Sequence, residues 1–508
     1  MKHLHLLLLL LGIGLGTCGH AQKMTPDASE LEAMARAFTV KSFPLLRELL
    51  SIPNVASNHE DIERNVVWCE REFRKRNFST TRIETPTVPL LLAERTVSNP
   101  AKTVLIYLQI DGQPVDSTRW FQDHPFTPTL KVRAADEAWE AIPWSRITNY
   151  DDEMRVFARS ASDAKGPVAM FLTALDAIKS ADLSPNFNIK VIMDFEEELG
   201  SPQLPQAVRD NRELLAADML IIFDGPRHIT NRPTLTFGAR GISTITLTTY
   251  GPVVAQHSGH FGNYAPNPAL RMAKLLASMK DDEGRVTIPG FYDGINIDPA
   301  TEKILRAVPD DEAQIRDRLQ LGAVDKVGRY YQEAIQYPSL NIRGMQSGWI
   351  DEAVRTIVPG WARAEIDVRL VLESDPDRLI GLLKKHVEDQ GYFVTDEVPD
   401  KATRMAHEKV ATFTAKISYQ SFRTDFDSEV GVWLRSALNR AFGEDPIMIR
   451  MSGGSIPISP FVTTLDVPAV TVPTVNRDNN QHSPNENLRL GNYREGIKTM
   501  IAILTEEL

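Results

Sequence analysis

The sequence contains very little cysteine: Cys18 and Cys69 are the only two in 508 residues. Removal of a leader ending at Ala21 would leave Cys69 alone, so the remaining chain could form neither an internal disulfide nor a cysteine-ligated metal site. Cys69 falls within a stretch whose apolar residues have helical spacing, and we expect it to be a buried core thiol.

Positive charge is also in deficit. The chain has 56 Lys and Arg against 67 Asp and Glu, a formal net charge of -11 at pH 7 and a pI of about 5.6. Nucleic acids and anionic membranes bind clustered Lys and Arg, and the sequence shows no basic stripe. We therefore expect no nucleic-acid partner.

No apolar run reaches the roughly 20 residues that a membrane-spanning helix requires. The run from Leu4 to Leu15 is shorter, follows a basic residue and precedes a small-residue cleavage pattern ending at Ala21. This layout is typical of a secretory signal peptide over residues 1–21. It predicts an exported protein, periplasmic or extracellular, without a transmembrane segment; lipid attachment at Cys18 is a minor alternative, because Thr17 fits a lipobox poorly.

Short β-rich apolar runs alternate in part with helical patterns, which favours an α/β fold with a largely parallel central sheet flanked by helices. The predicted strands are 104–107, 189–193, 219–223 and 469–472, and the predicted helices are 31–50, 61–76 and 167–178. A closing helix carries an apolar stripe at Ile497, Met500, Ile501 and Leu504, which predicts plain core packing.

The length exceeds what one hydrophobic core usually serves, so two domains are expected. Between 234 and 412 the pattern changes to alternating strands (242–247, 364–370) with helices (268–279, 376–390), which predicts an inserted α+β domain. The catalytic domain would then consist of a first part, 22–233, and a second part, 413–508.

Polar residues follow the predicted strands at their carboxyl ends, where open α/β sheets bind ligands. They are Gln109 and Asp111, the run Glu196-Glu197-Glu198, Asp224 and His482. Singly, each has a simpler interpretation: Asp163, just before a helix, also fits an N-cap, and three glutamates fit a solvated charge run. Together they suit amide hydrolysis, in which zinc polarises the carbonyl and activates water while a carboxylate carries the proton.

Seven segments, in order, resemble the dinuclear zinc peptidase and deacylase family of carnosine dipeptidase, carboxypeptidase G, aminoacylase and succinyl-diaminopimelate desuccinylase. They are 108–115, 159–166, 194–201, 222–225, 257–259, 453–457 and 482–486. The first and last look closest to the dipeptidase branch. The resemblance implies that the inserted domain is a lid and dimerisation domain, and that the protein is a homodimer.

The resemblance also implies two zinc ions and assigns their ligands. Asp163 corresponds to the carboxylate that bridges both ions. Glu198 and His482 correspond to the remaining ligands of one ion, and Asp224 to a ligand of the other. Glu197 corresponds to the general base that takes the proton of the attacking water.

Further roles follow from the same resemblance. Asp111 corresponds to the carboxylate that orients a histidine ligand, and His257 to a histidine that crosses the dimer interface and stabilises the oxyanion. Arg369 corresponds to an arginine that grips the substrate carboxylate, while Gly454 and Ser455 resemble a substrate-lining loop. From the residues alone, His257 also fits a surface-loop histidine and Arg369 an ordinary strand-face charge.

The chain departs from the family pattern at Gln109, which stands where a histidine ligand is expected. A carboxamide oxygen is a weaker zinc donor than an imidazole. The ion shared by Asp163 and Asp224 should therefore bind less well, and one ion is an alternative to two. We expect Asp111 to accept a hydrogen bond from the Gln109 amide, which would direct the amide oxygen towards the metal.

These observations predict an exported zinc-dependent hydrolase that cleaves the amide bond of dipeptides or short peptides with a free carboxylate. Two alternatives stay open. One is an N-acyl amino acid deacylase with the same mechanism, since the same metal and base hydrolyse either amide. The other is a non-catalytic peptide-binding relative that lost turnover together with the histidine.

Overall fold

A computed structural model describes residues 25–508. The predicted signal peptide and Cys18 lie outside the described residues. Among residues 25–508, no helix is both long and apolar enough to cross a membrane.

The helices mostly begin at capping side chains. For example, Asp27 accepts hydrogen bonds from the backbone N–H groups of Ser29 and Glu30, and the Glu30 carboxylate accepts one from the Asp27 N–H, which forms a capping box. The helices are α1 Ala28–Ser51, α2 His59–Lys75, α3 Lys165–Ser180, α4 Leu204–Asp210, α5 Arg212–Leu215, α6 Ser258–Phe261, α7 Pro268–Ala277, α8 Pro299–Arg306, α9 Glu312–Arg318, α10 Tyr331–Ala334, α11 Pro376–Asp389, α12 Lys401–Ala406, α13 Glu429–Phe442, α14 Ser459–Leu465 and α15 Leu490–Leu504.

The strands form two main sheets and several smaller ones. They are β1 Ser79–Ile83, β2 Leu90–Arg95, β3 Thr103–Gln109, β4 Thr129–Arg133, β5 Trp139–Ala141, β6 Arg155–Phe157, β7 Asn188–Asp194, β8 Met219–Ile222, β9 Thr234–Thr236, β10 Gly238–Ala239, β11 Gly241–Tyr250, β12 Gln256–His257, β13 Ser339–Gln346, β14 Ile357–Val358, β15 Trp361–Leu370, β16 Phe393–Thr395, β17 Val410–Tyr419, β18 Phe422–Arg423, β19 Ile447–Ile449, β20 Ala469–Thr471 and β21 Asn487–Arg489.

The larger sheet has eight strands in the order β1-β2-β7-β3-β8-β20-β9-β19. Its centre, β7-β3-β8-β20, is parallel, and the flanking pairs β1-β2 and β2-β7 are antiparallel. All four predicted strands of the catalytic domain form this parallel centre. The predicted α/β class with a largely parallel sheet is therefore confirmed.

Helices cover both faces of this sheet. On one face α1, α3, α13 and α15 share a hydrophobic core with the strands, and α3 is buried along most of its length. The opposite face is covered by α4, α5 and α14. The apolar stripe of α15 is at most 1% exposed, and Cys69 is fully buried in the first core, as expected for both. Burial raises the pKa of the Cys69 thiol, so it stays protonated.

The second main sheet has five strands in the order β13-β15-β11-β17-β16, antiparallel except for β16-β17. It carries α7 and α11 on its own hydrophobic core, as an inserted α+β unit should. The boundaries 234 and 412 stay a prediction. β9 begins at 234 but pairs with β19 and β20 in the large sheet, and β17 crosses 412 and continues the smaller sheet to Tyr419.

A third sheet of four strands, β21-β6-β4-β5, was not predicted. Its strands are short, and β5 is largely exposed, so they lack the continuous apolar runs that identified the central strands. The pairing of β21 with β6 places the segment before α15 next to the segment before α3. This contact fixes the position of both loops at the edge of the large sheet.

The packing of the core beneath the large sheet predicts how far truncation of one buried aromatic side chain would destabilise the protein. Phe171 of α3 is fully buried, with its ring centroid 6.5 Å from that of Phe73 and 6.2 Å from that of Phe223. Phe171→Ala should lower the free energy of unfolding by about 3–5 kcal/mol, because it leaves a cavity among these rings. Denaturant unfolding followed by circular dichroism measures this. Phe121→Ala is the control, since Phe121 is 81% exposed; equal midpoints for the two variants would contradict the packing.

Candidate metal centre and catalytic site

The polar residues that follow the parallel strands lie at one edge of the large sheet. β3 ends at Gln109, β7 leads into Glu197 and Glu198, and β8 leads into Asp224. These side chains, except Glu198, join Asp163 in lining a cavity of about 650 Å³. The edge is the carboxyl end of the parallel strands, where the fold places ligands.

Three of the predicted ligands form a compact group. His482 Nε2 lies 3.0 Å from Asp163 Oδ2 and 3.2 Å from Glu198 Oε2, and one potential ligand atom from each residue lies within 4.8 Å of the others. Two carboxylates and an imidazole are a donor set that zinc accepts, and three protein ligands leave a position for water. The residues present therefore fit one zinc ion.

The pKa values of the side chains in and beside this group reflect an excess of negative charge. Burial, and then the charge of Asp163, raises the pKa of Glu198 to about 7. The same two causes raise the pKa of Asp224 to about 7. The hydrogen bond to Asp163 raises the pKa of His482 to about 9, so the imidazole serves as the local cation. A divalent cation would supply positive charge and displace the protons from these side chains.

Asp111 does not hold Gln109, contrary to the expectation above. Its buried carboxylate accepts hydrogen bonds from the backbone N–H groups of Glu197 and Glu198, at 3.1 and 2.9 Å. These bonds fix the turn that carries Glu197 and Glu198. The Gln109 amide is hydrogen-bonded to Asp163 instead, so Asp111 is not its partner.

Gln109 itself is 2% exposed and donates from Nε2 to Asp163 Oδ1 at 2.8 Å. Its Oε1 is buried and has no hydrogen-bond partner within residues 25–508. Asp224 lines the same cavity, but the amide presents an N–H group, which cannot coordinate a cation. In this geometry Gln109, Asp163 and Asp224 do not fit a second ion.

Glu486, which was not among the predicted site residues, determines where Asp163 lies. Its carboxylate is 1% exposed and accepts hydrogen bonds from the backbone N–H groups of Ser160, Ser162 and Asp163 at 2.8–3.0 Å. It also pairs with buried Arg159 at 2.8 Å. The only sequence signal was its place in the segment 482–486, because its partners are more than 300 residues away.

The substrate-side residues lie around the same cavity. Gly454 and Ser455 line it, and Arg369 of β15 donates from Nη1 to Ser455 Oγ at 2.9 Å. Arg369 thus bridges the inserted unit and the catalytic domain. Asp367 lies 3.5 Å from the Arg369 guanidinium and offsets part of its charge.

His257 does not reach this cavity in its own chain. It is exposed, its Nδ1 accepts a hydrogen bond from the Gly259 N–H at 3.0 Å, and its ring lies 4.7 Å from that of His260. Within residues 25–508 it is not one of the cavity-lining side chains. A catalytic role for His257 would therefore require a second chain.

Part of the cavity wall was also missed by sequence reasoning. Helices α9 and α10 contribute Arg318 and Tyr331. They are held to the catalytic domain by Asp310, whose Oδ1 lies 3.0 Å from His228 Nε2 and whose Oδ2 accepts a hydrogen bond from Gln332 at 2.7 Å. These short helices carried no distinct apolar periodicity, so only the folded chain shows that they enclose the site.

The contacts of Glu486 predict that it positions the metal ligand. Glu486→Gln should weaken zinc binding by about 10–100-fold, because the new NH2 group faces backbone donors and Arg159 loses its counter-charge. Competition with a chromophoric chelator measures the zinc affinity, and thermal unfolding reports the accompanying loss of stability. Glu137→Gln, at an exposed turn, is the control; unchanged zinc affinity in Glu486→Gln would contradict the role.

The chain is similar to known proteins over most of its length. Residues 105–506 match the model of the peptidase family M20/M25/M40. The chain is 26% identical over 431 residues to the Cys-Gly metallodipeptidase dug1 of Schizosaccharomyces pombe, covering 83% of each protein. It is 27% identical over 430 residues to the human Beta-Ala-His dipeptidase, covering 83% of this chain and 78% of that protein.

The fold is likewise similar to solved structures. The M20 family metallo-carboxypeptidase Sso-CP2 of Sulfolobus solfataricus superposes with a TM-score of 0.74 at 26% identity, covering 92% of this chain and 99% of that one. These matches confirm the resemblance, its dipeptidase-like branch and the prediction of a metallopeptidase. The chain belongs to the peptidase family M20/M25/M40.

Proposed function

We propose that this protein is an exported, zinc-dependent hydrolase that cleaves the amide bond of dipeptides or short peptides with a free carboxylate. The observation that carries the proposal is the position of Glu197. Its carboxylate lines the cavity beside Asp163 and His482, and the next residue, Glu198, belongs to the three-residue ligand group. A ligand and a base are thereby held at adjacent positions on one turn.

Different residues would bind the metal and transfer the proton during hydrolysis. Zinc held by Asp163, Glu198 and His482 would polarise the scissile carbonyl and lower the pKa of water. Glu197 accepts a proton from the attacking water and returns it to the departing amine. Burial, followed by the charges of Asp224 and Asp163, raises the pKa of Glu197 well above its usual range. A bound cation would offset these negative charges and leave the Glu197 carboxylate ionised, so that it can accept the proton.

Glu196 does not share this role, although it belongs to the same run of three glutamates. Its carboxylate accepts a hydrogen bond from the Thr87 hydroxyl at 2.6 Å, and it is not one of the cavity-lining residues within 25–508. The run therefore divides into a tethered residue, a base and a ligand. This division provides a matched control for the base.

A free substrate carboxylate has a suitable partner in Arg369. The Arg369 guanidinium donates a hydrogen bond to Ser455, which lies on the loop that lines the cavity. Gly454 leaves this loop open because it has no side chain. Arginine binds carboxylates with two parallel hydrogen bonds. We infer that Arg369 and Ser455 orient the C-terminal end of the peptide while the amide bond lies over the metal.

We also infer a homodimer, because β13 is an edge strand with exposed apolar side chains nearby. Exposed edges and apolar patches of this kind mark sites of association. The apolar side chains on and beside this edge are Ile342, Met345, Trp349, Ile350, Val354 and Trp361. Association through the inserted unit would carry His257 to the partner's cavity, where an imidazole can stabilise the oxyanion.

Export is part of the proposal and rests on the sequence pattern of residues 1–21. That segment lies outside the described residues. Exported protein should therefore begin near Gln22, which sequencing of the N-terminus of secreted material would test.

The role of Glu197 predicts a specific loss of turnover. Glu197→Gln should lower kcat by about 10²–10⁴-fold, because the amide cannot accept the proton, while zinc content stays unchanged. Glu196→Gln should keep most activity. The measurement is hydrolysis of a panel of dipeptides and N-acyl amino acids by metal-loaded protein.

The panel also separates the alternatives. Cleavage of dipeptides supports the proposal, and cleavage confined to N-acyl amino acids would replace it with a deacylase. Substrate binding without cleavage by the wild type would indicate a binding protein. Equal activity of Glu197→Gln and the wild type would remove Glu197 as the base.

The dimer proposal predicts complementation between two inactive variants. His257→Ala and Glu197→Gln homodimers should each be nearly inactive. After mixing and subunit exchange, about a quarter of the sites should combine an intact Glu197 with an intact His257 from the partner subunit, given random pairing in a two-fold dimer. Recovered activity on the same substrates measures this. If the mixture stays as inactive as its components although heterodimers form, His257 does not act across the interface.

A further inference from the structure

The two oxygens of the Asp163 carboxylate face different partners. Oδ2 faces the ligand group, 3.0 Å from His482 Nε2, and also lies 3.4 Å from Gln481 Nε2. Oδ1 accepts the 2.8 Å hydrogen bond from Gln109 Nε2. One oxygen is therefore directed to the ion site of Glu198 and His482, and the other is occupied by an amide.

The orientation of the Gln109 amide follows from electrostatics. An amide nitrogen has no lone pair available for a cation, whereas the amide oxygen has two. Turning the amide over would place Gln109 Oε1 against Asp163 Oδ1, so two acceptors would meet at a buried position unless a cation lay between them. A second ion must therefore break the Nε2–Oδ1 hydrogen bond and reverse the amide before it can bind.

Reversal of the Gln109 amide would provide only a weak zinc ligand. The carboxamide oxygen is a neutral donor that zinc accepts less readily than imidazole or carboxylate. The remaining ligands, Asp163 and Asp224, are both carboxylates, so the ion would lack the nitrogen donor that stands at position 109 in the family pattern. The hydrogen bond already made by Gln109 also holds Asp163 so that Oδ2 faces His482.

We propose that this protein binds a single zinc ion per chain, at Asp163, Glu198 and His482, and that the Gln109 carboxamide stands in place of a second ion. One N–H of the amide donates to Asp163 Oδ1 and satisfies this oxygen as an acceptor without supplying a charge. Asp224 lines the cavity without serving as a ligand. The inference concerns metal stoichiometry and does not depend on which substrate is cleaved.

The test is a count of zinc per chain. Protein stripped with a chelator is reloaded with excess zinc and desalted, and its metal content is measured by inductively coupled plasma mass spectrometry and native mass spectrometry. We expect one zinc in the wild type and two in Gln109→His. Gln420→His adds an imidazole at an exposed position between β17 and β18 and should retain one.

Two zinc ions in the wild type would overturn the proposal, since the amide would then have reversed to act as a ligand. No tightly bound zinc in the wild type would overturn it as well. A single zinc in correctly folded Gln109→His would show that residue 109 does not decide the stoichiometry. Thermal unfolding checks the folding of the variants, and Gln109→Glu is a second variant that supplies an anionic oxygen ligand; it should also gain an ion.

A crystal of the zinc-loaded protein gives a second readout. Anomalous scattering at the zinc edge should show one peak beside His482 in the wild type and a second peak beside Asp224 in Gln109→His and Gln109→Glu. Because both readouts report bound metal, a failure of the peptidase proposal in the substrate panel would leave the zinc count unaffected, and a count of two in the wild type would leave the peptidase proposal standing.

Discussion

Mutual repulsion among carboxylates at the edge of the large sheet is the constraint on which the rest of the site depends. The ends of three neighbouring parallel strands bring acidic residues together at the wall of one cavity. Burial and like charge both raise carboxyl pKa values, as they do for Glu197, Glu198 and Asp224. A folded chain can keep such a group only if each acid has a donor or shares a cation.

The acidic side chains are stabilised in two ways. Some acids are satisfied by the protein: Asp111 by the backbone of the 197–198 turn, and Glu486 by three backbone N–H groups and Arg159. Others, Asp163 and Glu198, share His482. Asp111 and Glu486 hold the backbone of the site in place, whereas Asp163 and Glu198 are the proposed metal ligands, although all four residues are acidic.

The inserted unit completes this arrangement without belonging to the large sheet. Its antiparallel sheet brings Arg369 to the cavity loop, and the segment with α9 and α10 encloses the cavity through the pairing of Asp310 with His228. Groups from two separate cores therefore meet at one cavity, which is the geometry expected when two domains close on a substrate. The exposed edge at β13 is the surface proposed above for association with a second copy.

The sequence alone determined the α/β class, the four central strands and the principal helices. Its resemblance to the family singled out Asp163, Glu198 and His482 as expected ligands, and the structure brings these three side chains together. Periodicity fixes which face of an element is buried, and parallel strands end at one edge, so polar residues after those strands converge. Local pattern carried no information on the partner of Asp111, the role of Glu486 or the direction of the Gln109 amide. Those depend on hydrogen bonds between segments 54 to 323 residues apart, and only the tertiary structure decides which donor meets which acceptor.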